Sequence, residues 1–456
     1  MILKKISNRK LFLFVGDVFI IILSINLAFI IRLKKSTISY LGLNDGIITT
    51  LLMLTFCLIS FYIFDLYNLK AKIKNTRFLG LIFGSLILVT LLTVVFFYLF
   101  PFRLGRGVFA ISLLLIGILI IIWRRFYSTI FRLALPQRNV LIVGPKKKAE
   151  AVYSLIKMNP EYKVVGLIDK NMKKIKFLKK ELSEDSRSLE KIANNHKIDD
   201  IIITIDPTRN RNLNSELVSC KMKGINIYDI PALYEALLFK LPISYIKPKW
   251  FLYTDGFDKL ANKIYKRLKR MIDLLISSPL LIISFPVGII ISLTIKINSK
   301  GPIFLIQERV GENNKSFKII KFRTMVTGAE KGDPKWAEKD DPRITFVGKI
   351  LRKTRLDEIP QLINVIKGEM SLTGPRPERE FFVKKLMEKI PFYSLRFSVK
   401  PGLTGWAQIN YEYGDSDEDA FEKLQYDLYY VKNMSIFLDI GILLQTIRIV
   451  LFGIGR

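Results

Sequence analysis

Four long apolar runs open the chain, at residues 11–31, 47–66, 78–100 and 108–123. Each comes near the roughly 20 residues that a helix needs to cross the hydrocarbon of a bilayer. A segment of that length in lipid must pair its own backbone polar groups, so the runs predict membrane helices. The first follows Lys4, Lys5, Arg9 and Lys10, lacks a small-residue cleavage site and is succeeded by three more. A retained anchor is therefore expected rather than a removed leader.

Loop charges give the orientation. Lys70, Lys72, Lys74 and Arg77 follow the second run, and Arg124, Arg125, Arg132 and Arg138 follow the fourth. The other side carries Arg32, Lys34, Lys35, Arg103 and Arg106. That bias places the N-terminus and everything after Trp123 in the cytoplasm. Asp17 and Asp65, at or inside span ends, read as interfacial or bundle-facing. A fifth apolar stretch, residues 271–297, has basic residues on both flanks (Lys266, Arg267, Lys269 and Arg270; Lys296, Lys300 and Arg309) and contains Pro279 and Pro286. A helix broken at proline, entering and leaving by one face, keeps both flanks cytoplasmic; an ordinary fifth span is the alternative.

Half of the residues are hydrophobic although 24% are charged, so the two kinds must be segregated into membrane and soluble parts. Lys and Arg number 71 against 40 Asp and Glu, a net charge of +31. Such an excess suits polyanionic partners, and its clustering beside apolar runs favours anionic lipid headgroups over nucleic acid. Cys57 and Cys220 stand in unrelated contexts and make no disulfide framework. A single histidine, His196, removes Ser-His-Asp hydrolysis and His-rich zinc chemistry. An enzyme built from this chain is expected to work with carboxylates, using Lys and Arg to hold charge.

From Arg138 the pattern turns to short apolar strands at residues 139–143, 164–168, 200–205 and 225–229, separated by helix-length polar segments. Alternation of this kind predicts a Rossmann-like parallel α/β sheet. Its first turn reads Gly144-Pro145-Lys146-Lys147-Lys148, lacking two glycines of the dinucleotide fingerprint. The domain is expected to be structural or regulatory, which weakens a nucleotide-sugar dehydratase or reductase reading.

The last third concentrates residues that packing alone does not demand. Arg352-Lys353-Thr354-Arg355-Leu356-Asp357-Glu358-Ile359-Pro360-Gln361 sets two adjacent acids behind three basic residues. One reading is a helix capped by Asp357 and running through Lys367. The other is a dyad in which one carboxylate attacks phosphorus while its neighbour holds Mg²⁺, with cations screening the phosphates. Donor-rich turns surround the run: Lys321-Phe322-Arg323-Thr324-Met325, Gly374-Pro375-Arg376-Pro377-Glu378 and Lys400-Pro401-Gly402-Leu403-Thr404-Gly405-Trp406. The final segment, residues 436–454, mixes apolar residues with Asp439, Gln445 and Arg448, and reads equally as an interfacial amphipathic helix or a packed terminal one.

At these residues the chain resembles the bacterial polyprenyl-phosphate hexose-1-phosphate transferases. The resemblance rests on Lys269-Arg270-x-x-Asp273, Gln307-Glu308-Arg309-Val310-Gly311, the Asp357-Glu358 dyad, the run Leu362-Ile363-Asn364-Val365-Ile366-Lys367-Gly368-Glu369-Met370-Ser371 and the two proline-glycine turns. It implies that Asp357 attacks the β-phosphorus of a UDP-sugar, releases UMP and passes the phosphosugar to undecaprenyl phosphate. It also implies that Glu358 holds Mg²⁺, that Arg352 and Arg376 stand near the phosphates, and that a re-entrant helix breaks at Pro286. Lys321 and Arg323 are further candidates for diphosphate contact, and Gln361 for support of the dyad. Phe285, where many relatives have serine, and Tyr411-Glu412-Tyr413, where some carry a basic residue, depart from the pattern.

The implied architecture is a four-helix anchor (1–132), a degenerate Rossmann-like domain (133–255), a basic collar with a re-entrant helix (256–300) and a mixed α/β catalytic domain with a C-terminal interfacial helix (301–456). The resemblance further implies a bacterial inner-membrane enzyme of exopolysaccharide, capsule or O-antigen assembly, with its catalytic domain in the cytoplasm, and suggests a homodimer. The competing reading is an inactive membrane scaffold or nucleotide-sensing regulator, which predicts damage to the dyad or its arginines.

Overall fold

The computed structural model describes residues 8–67, 76–99, 105–134, 137–157, 159, 161–168, 175–177, 188–206, 210–329, 341–411, 414 and 416–452. Lys4, Lys5, Lys70, Lys72, Lys74, Phe100, Arg103, Glu412 and Tyr413, invoked above, lie outside those residues. The chain divides into two compact units, Met1–Leu135 with Ile440–Ile454 and Pro136–Asp439 with Gly455–Arg456.

The first unit contains α1 (Asn8–Leu33), the short α2 (Thr37–Leu41), α3 (Leu43–Ile63), α4 (Thr76–Leu99) and α5 (Arg106–Ala134). All but α2 are long and apolar enough to cross a membrane. Ile21, Phe29, Cys57, Phe61, Val89 and Ile116 are buried between them, while Phe19, Phe83, Leu91 and Val94 face outward, as lipid solvation permits. Glycines set the closest approaches: a Cβ on Gly16 would fall 2.1 Å from the Trp123 ring, and one on Gly84 2.4 Å from Phe64. Asp17 faces the bundle, where its Oδ2 accepts from Arg124 Nη2 at 2.6 Å. Both side chains are buried, the condition under which charge is tolerated among apolar helices. Asp65 instead meets Arg448 of the last helix (Ile436–Phe452) at 3.1 Å. Leu444 of that helix packs on the same core, so the terminal segment is a packed helix.

The second unit begins with β1 (Arg138–Val143), α6 (Lys146–Lys157), β2 (Tyr162–Ile168), β3 (Ile175–Phe177), α7 (Leu189–Asn195), β4 (Asp200–Ile203), α8 (Arg211–Met222), β5 (Asn226–Asp229) and α9 (Ile230–Leu238). The strands lie in the order β3-β2-β1-β4-β5. The four expected strands pair in parallel, and β3 adds an antiparallel edge that the apolar pattern did not show. Val140 to Val143 and Ile201 to Ile203 are buried, as the central strands of a sheet covered on both faces must be. After β1, Gly144 adopts φ +144°, and the place of its missing Cβ lies 2.0 Å from Thr204 Oγ1. This glycine lets β1 end in close contact with the Thr204 side chain.

Beyond α9 the chain enters the core of the last third. Leu241, Ile243, Ile246, Trp250 and Phe251 pack with Phe382, Leu386, Phe397, Leu424 and Leu428. Glu235 of α9 accepts from Lys432 Nζ at 2.6 Å and Asn433 Nδ2 at 2.9 Å, fastening the sheet domain to this core.

After α10 (Pro248–Tyr253), α11 (Lys263–Asn298) runs as one helix of 36 residues with Pro279 and Pro286 inside it. The helix assignment is continuous through Pro286, where a break was expected. A proline withholds one N–H from the ladder, here the rung to the Ile282 carbonyl, while the neighbouring rungs carry the helix past it. Then come the hairpin strands β6 (Phe304–Val310) and β7 (Ser316–Phe322), α12 (Phe346–Thr354), α13 (Gln361–Lys367), β8 (Ser371–Thr373), α14 (Glu380–Lys389), β9 (Gly402–Thr404), α15 (Trp406–Asn410), α16 (Asp417–Asn433) and the terminal α17. β6 and β7 are antiparallel, and β8 and β9 pair in parallel.

Candidate active site

The dyad sits in a turn. Thr345 caps α12 by accepting from Gly348 N at 3.0 Å. A Cβ on Gly348 would stand 2.0 Å from the Thr324 carbonyl, so only glycine lets α12 lie this close to that segment. Arg355 ends α12 in the left-handed region (φ 55°), and Leu356–Glu358 follows as one 3₁₀ turn. α13 then starts behind Pro360. Asp357 therefore caps no helix, correcting one of the two readings above, although α13 ends at Lys367 with Gly368 in the left-handed conformation as such a helix requires.

Three elements converge on this turn. Arg376, in the turn after β8, places Nη2 2.6 Å from Glu358 Oε1. Lys321 Nζ of β7 lies 3.5 Å from the same oxygen, and Arg355 Nη1 is 3.9 Å from Oε2. Asn364, fully buried in α13, accepts from Ile320 N at 3.1 Å and donates to Lys318 O and Glu369 Oε2, both at 2.7 Å. It thereby fixes the strand that carries Lys321 against the helix that follows the dyad. The proline-glycine turns hold Arg376 by backbone contact: a Cβ on Gly402 would be 2.1 Å from Gly374 N, and one on Gly374 would be 2.4 Å from Lys400 O.

The Lys-Arg-x-x-Asp segment of α11 is a fastener. Arg270 donates to the Val365 and Ile366 carbonyls at 2.5 and 2.6 Å, and Asp273 accepts from Ser371 Oγ and Leu372 N, each at 3.0 Å. Lys269 bonds Thr373 Oγ1 and Asp439, whose carboxylate also takes the Tyr265 and Tyr430 hydroxyls. Arg323 has the same kind of task. It donates to Ser299 O and Oγ at 2.8 Å and to Lys300 O at 3.0 Å, closing the C-terminus of α11 where carbonyls lack partners. Arg323, anticipated as a diphosphate contact, makes these helix-end hydrogen bonds in the structure. Arg352 Nε donates to Thr324 Oγ1 at 2.8 Å, and its charge reaches Asp357. Gln361 is buried at the start of α13 with Nε2 unpartnered.

The two acids are unequal. Burial, reinforced by the neighbouring Glu358 charge, pushes the Asp357 carboxyl up to about 6, against the pull of Lys321, Arg376 and Arg352. Burial acts on Glu358 too, but Arg376, then Lys321 and Arg355, overcome it and hold that carboxyl well below the usual range. Burial lowers Lys321 to about 8, opposed by Glu358 and assisted by Arg376 and Arg309. The turn thus holds one permanent anion and one carboxylate that titrates near neutrality, inside a cluster of cations. Such a site is built to receive phosphate charge.

Residues 264–453 match the family described as bacterial sugar transferase, and residues 62–231 one described as a CoA-binding domain. A Haemophilus influenzae protein named as an uncharacterized sugar transferase is 30% identical over 69% of each chain. This chain belongs to the bacterial sugar transferase family. An Aeromonas hydrophila UDP-N-acetylgalactosamine-undecaprenyl-phosphate N-acetylgalactosaminephosphotransferase is 38% identical over 52% of this chain and 55% of its own length. A Klebsiella pneumoniae UDP-glucose:undecaprenyl-phosphate glucose-1-phosphate transferase is 41% identical over 42% of each. The chain thus spans about half the length of these curated relatives.

In this family member the structure brings Asp357, Glu358, Arg352, Arg376 and Lys321 together, as the sequence suggested. Reading the sequence missed Arg396 and Asp427. Arg396 is buried, pairs with Asp427 at 2.9 Å, and donates to the Arg376 carbonyl at 2.9 Å and the Tyr393 hydroxyl at 2.6 Å. A charge at Asp427, between Leu424, Leu428 and Tyr430, was the available signal, because an acid on a buried helix face needs a partner. Among the described residues no three His, Cys, Asp or Glu side chains gather as a metal cage. Mg²⁺ is ordinarily held by one or two carboxylates plus substrate phosphates, and Asp357 and Glu358 are the two carboxylates of this turn.

Proposed function

We propose that this chain transfers a sugar 1-phosphate from a UDP-sugar to undecaprenyl phosphate and releases UMP, the first membrane step of exopolysaccharide, capsule or O-antigen assembly. The unequal dyad carries the reading. Asp357 is a carboxylate above about pH 6, and the permanent charge of Glu358 stands beside it. The names of the Aeromonas and Klebsiella relatives, which specify a UDP-sugar and undecaprenyl phosphate, support the same reaction.

An Asp357 carboxylate oxygen bonds to the β-phosphorus, and the bridging oxygen departs with its electron pair on UMP. A phosphate oxygen of the lipid then bonds to the same phosphorus, the aspartyl oxygen leaves, and Asp357 returns as a carboxylate. Arg352, Arg376 and Lys321 offset phosphate charge in both steps. Glu358, with Asp357 beside it, would hold Mg²⁺, which when bound neutralises diphosphate charge. The intact dyad and arginines speak against an inactive scaffold.

The same proposal places the protein in the bacterial inner membrane, with α1, α3, α4 and α5 crossing it and the dyad on the cytoplasmic side. It makes α11 re-entrant, supported by basic residues at both of its ends and by the rung that Pro286 withholds. Anionic lipid would gather at that collar, and the family resemblance suggests a homodimer. The turn after β1, which lacks two glycines of the dinucleotide fingerprint, supports a structural or regulatory α/β domain.

The test is UMP release from a panel of UDP-sugars by purified protein in nanodiscs, with and without undecaprenyl phosphate and Mg²⁺, beside Asp357→Asn. Lipid- and metal-dependent release with one sugar, lost in the variant, is expected. Silence across the panel from folded protein would sink the reading.

A further inference from the structure

We infer that Arg355 is a ligand of the donor diphosphate; the inference rests on the transferase reading above and adds a cation to it. Three observations converge on this residue. Its backbone lies at φ 55°, where a helix-ending residue is usually glycine because a Cβ is disfavoured there. Its amide closes α12 on the Arg352 carbonyl at 3.3 Å, and its carbonyl accepts from Glu358 N at 3.2 Å, so the backbone alone makes the turn that presents the dyad. Glycine would serve that turn better, yet the longest cationic side chain stands there.

The side chain points at the chemistry. Its Nη1 is 3.9 Å from Glu358 Oε2, on the opposite oxygen from the one Arg376 holds at 2.6 Å. Glu358 is therefore flanked by Arg376 and Lys321 on one oxygen and by Arg355 on the other. Together with Arg352, which acts on Asp357, four cations surround two carboxylates. The cations outnumber the carboxylates, which suits the cluster to an anionic diphosphate. Arg355 keeps 27% of its side chain exposed, so it reaches both the buried acid and whatever enters from solvent. A planar guanidinium can share itself between a carboxylate and a phosphate in this way. A disfavoured backbone conformation kept at such a place is the kind of strain that functional sites retain.

The test uses the full chain in detergent, comparing wild type with Arg355→Gly and Arg355→Lys. Glycine keeps the turn and relieves the backbone, so Arg355→Gly is expected to melt at or above the wild-type temperature. Its kcat/KM for the donor should fall about tenfold or more, as loss of a charge-assisted hydrogen bond implies. UDP binding, read by calorimetry, should weaken by a similar factor while uridine binding is unchanged, and Arg355→Lys should fall between. Equal UDP affinity in wild type and Arg355→Gly would overturn the inference. So would a lowered melting temperature with equal losses for UDP and uridine, which marks a structural role. If wild type turns over no sugar yet binds UDP and Arg355→Gly binds it weakly, the transferase reading fails and the Arg355 assignment stands.

Discussion

Arg376 and Glu358 meet at 2.6 Å, and the backbone carbonyl of the same arginine is held by Arg396 at 2.9 Å. One residue thus lowers both carboxyls of the dyad from a position that a buried ion pair defines.

Removing that charge should be felt by both acids. Arg376 lowers Asp357 as well as Glu358, so Arg376→Met should move the acidic limb of the pH–rate profile above its wild-type position near 6. It should also reduce kcat by about a hundredfold, the scale of losing one preorganised donor. A profile of UMP release from pH 5 to 9 checks both; an unmoved limb would detach Arg376 from the dyad.

Asp357→Asn should abolish UMP release, because an amide is a poor nucleophile. It should also stabilise the fold at neutral pH. A carboxyl raised from 3.8 to about 6 favours the folded state while protonated, so its charge destabilises the fold above 6 and that effect fades as pH falls towards 4. The variant should exceed wild type by about 1–3 kcal/mol at pH 7.5 and match it below pH 4. Thermal melts across that range decide it.

Lys321 gives the other limb. Burial brings it down to about 8, so its charge is present below that pH and lost above it, and activity should decline there. Lys321→Arg, which stays charged throughout, should carry the alkaline limb upward by a unit or more in the same assay.

Asn364 tests the scaffold. Its amide joins β7 to α13 by two hydrogen bonds and holds Glu369 by a third, and Asn364→Ala would leave those partners unsatisfied. A loss of about 2–4 kcal/mol is expected from melts in detergent, with a smaller effect on kcat than that of Arg376→Met.

Topology follows from labelling. A cysteine replacing Lys300, just past α11, should react with an impermeant maleimide only from the cytoplasmic side if α11 is re-entrant. Reaction from the outside would make α11 an ordinary span.

Much of this was legible because it is written locally. The apolar runs of α1, α3, α4 and α5, the apolar strands β1, β2, β4 and β5, and the Asp357-Glu358 pair are patterns within short windows. β3 was not, since three residues, Ile175 to Phe177, carry too little pattern. The assignment of cations was not legible either. Arg323 and Arg376 look alike in sequence, each in a turn rich in donors, and only the chain's return path puts one on the α11 carbonyls and the other on Glu358. The left-handed Arg355 and the Asp427–Arg396 pair depend likewise on contacts between segments far apart in the chain.

The glycine contacts between the two proline-glycine turns have a further consequence. With Gly402 and Gly374 touching through bare backbone, the distance from Arg376 to the dyad is gauged by atoms that are absent. One added methyl group would act as a shim, lifting the arginine by a fraction of an ångström and detuning both carboxyls without altering a charged residue. A substitution scan that followed charge alone would pass over the positions that calibrate the site.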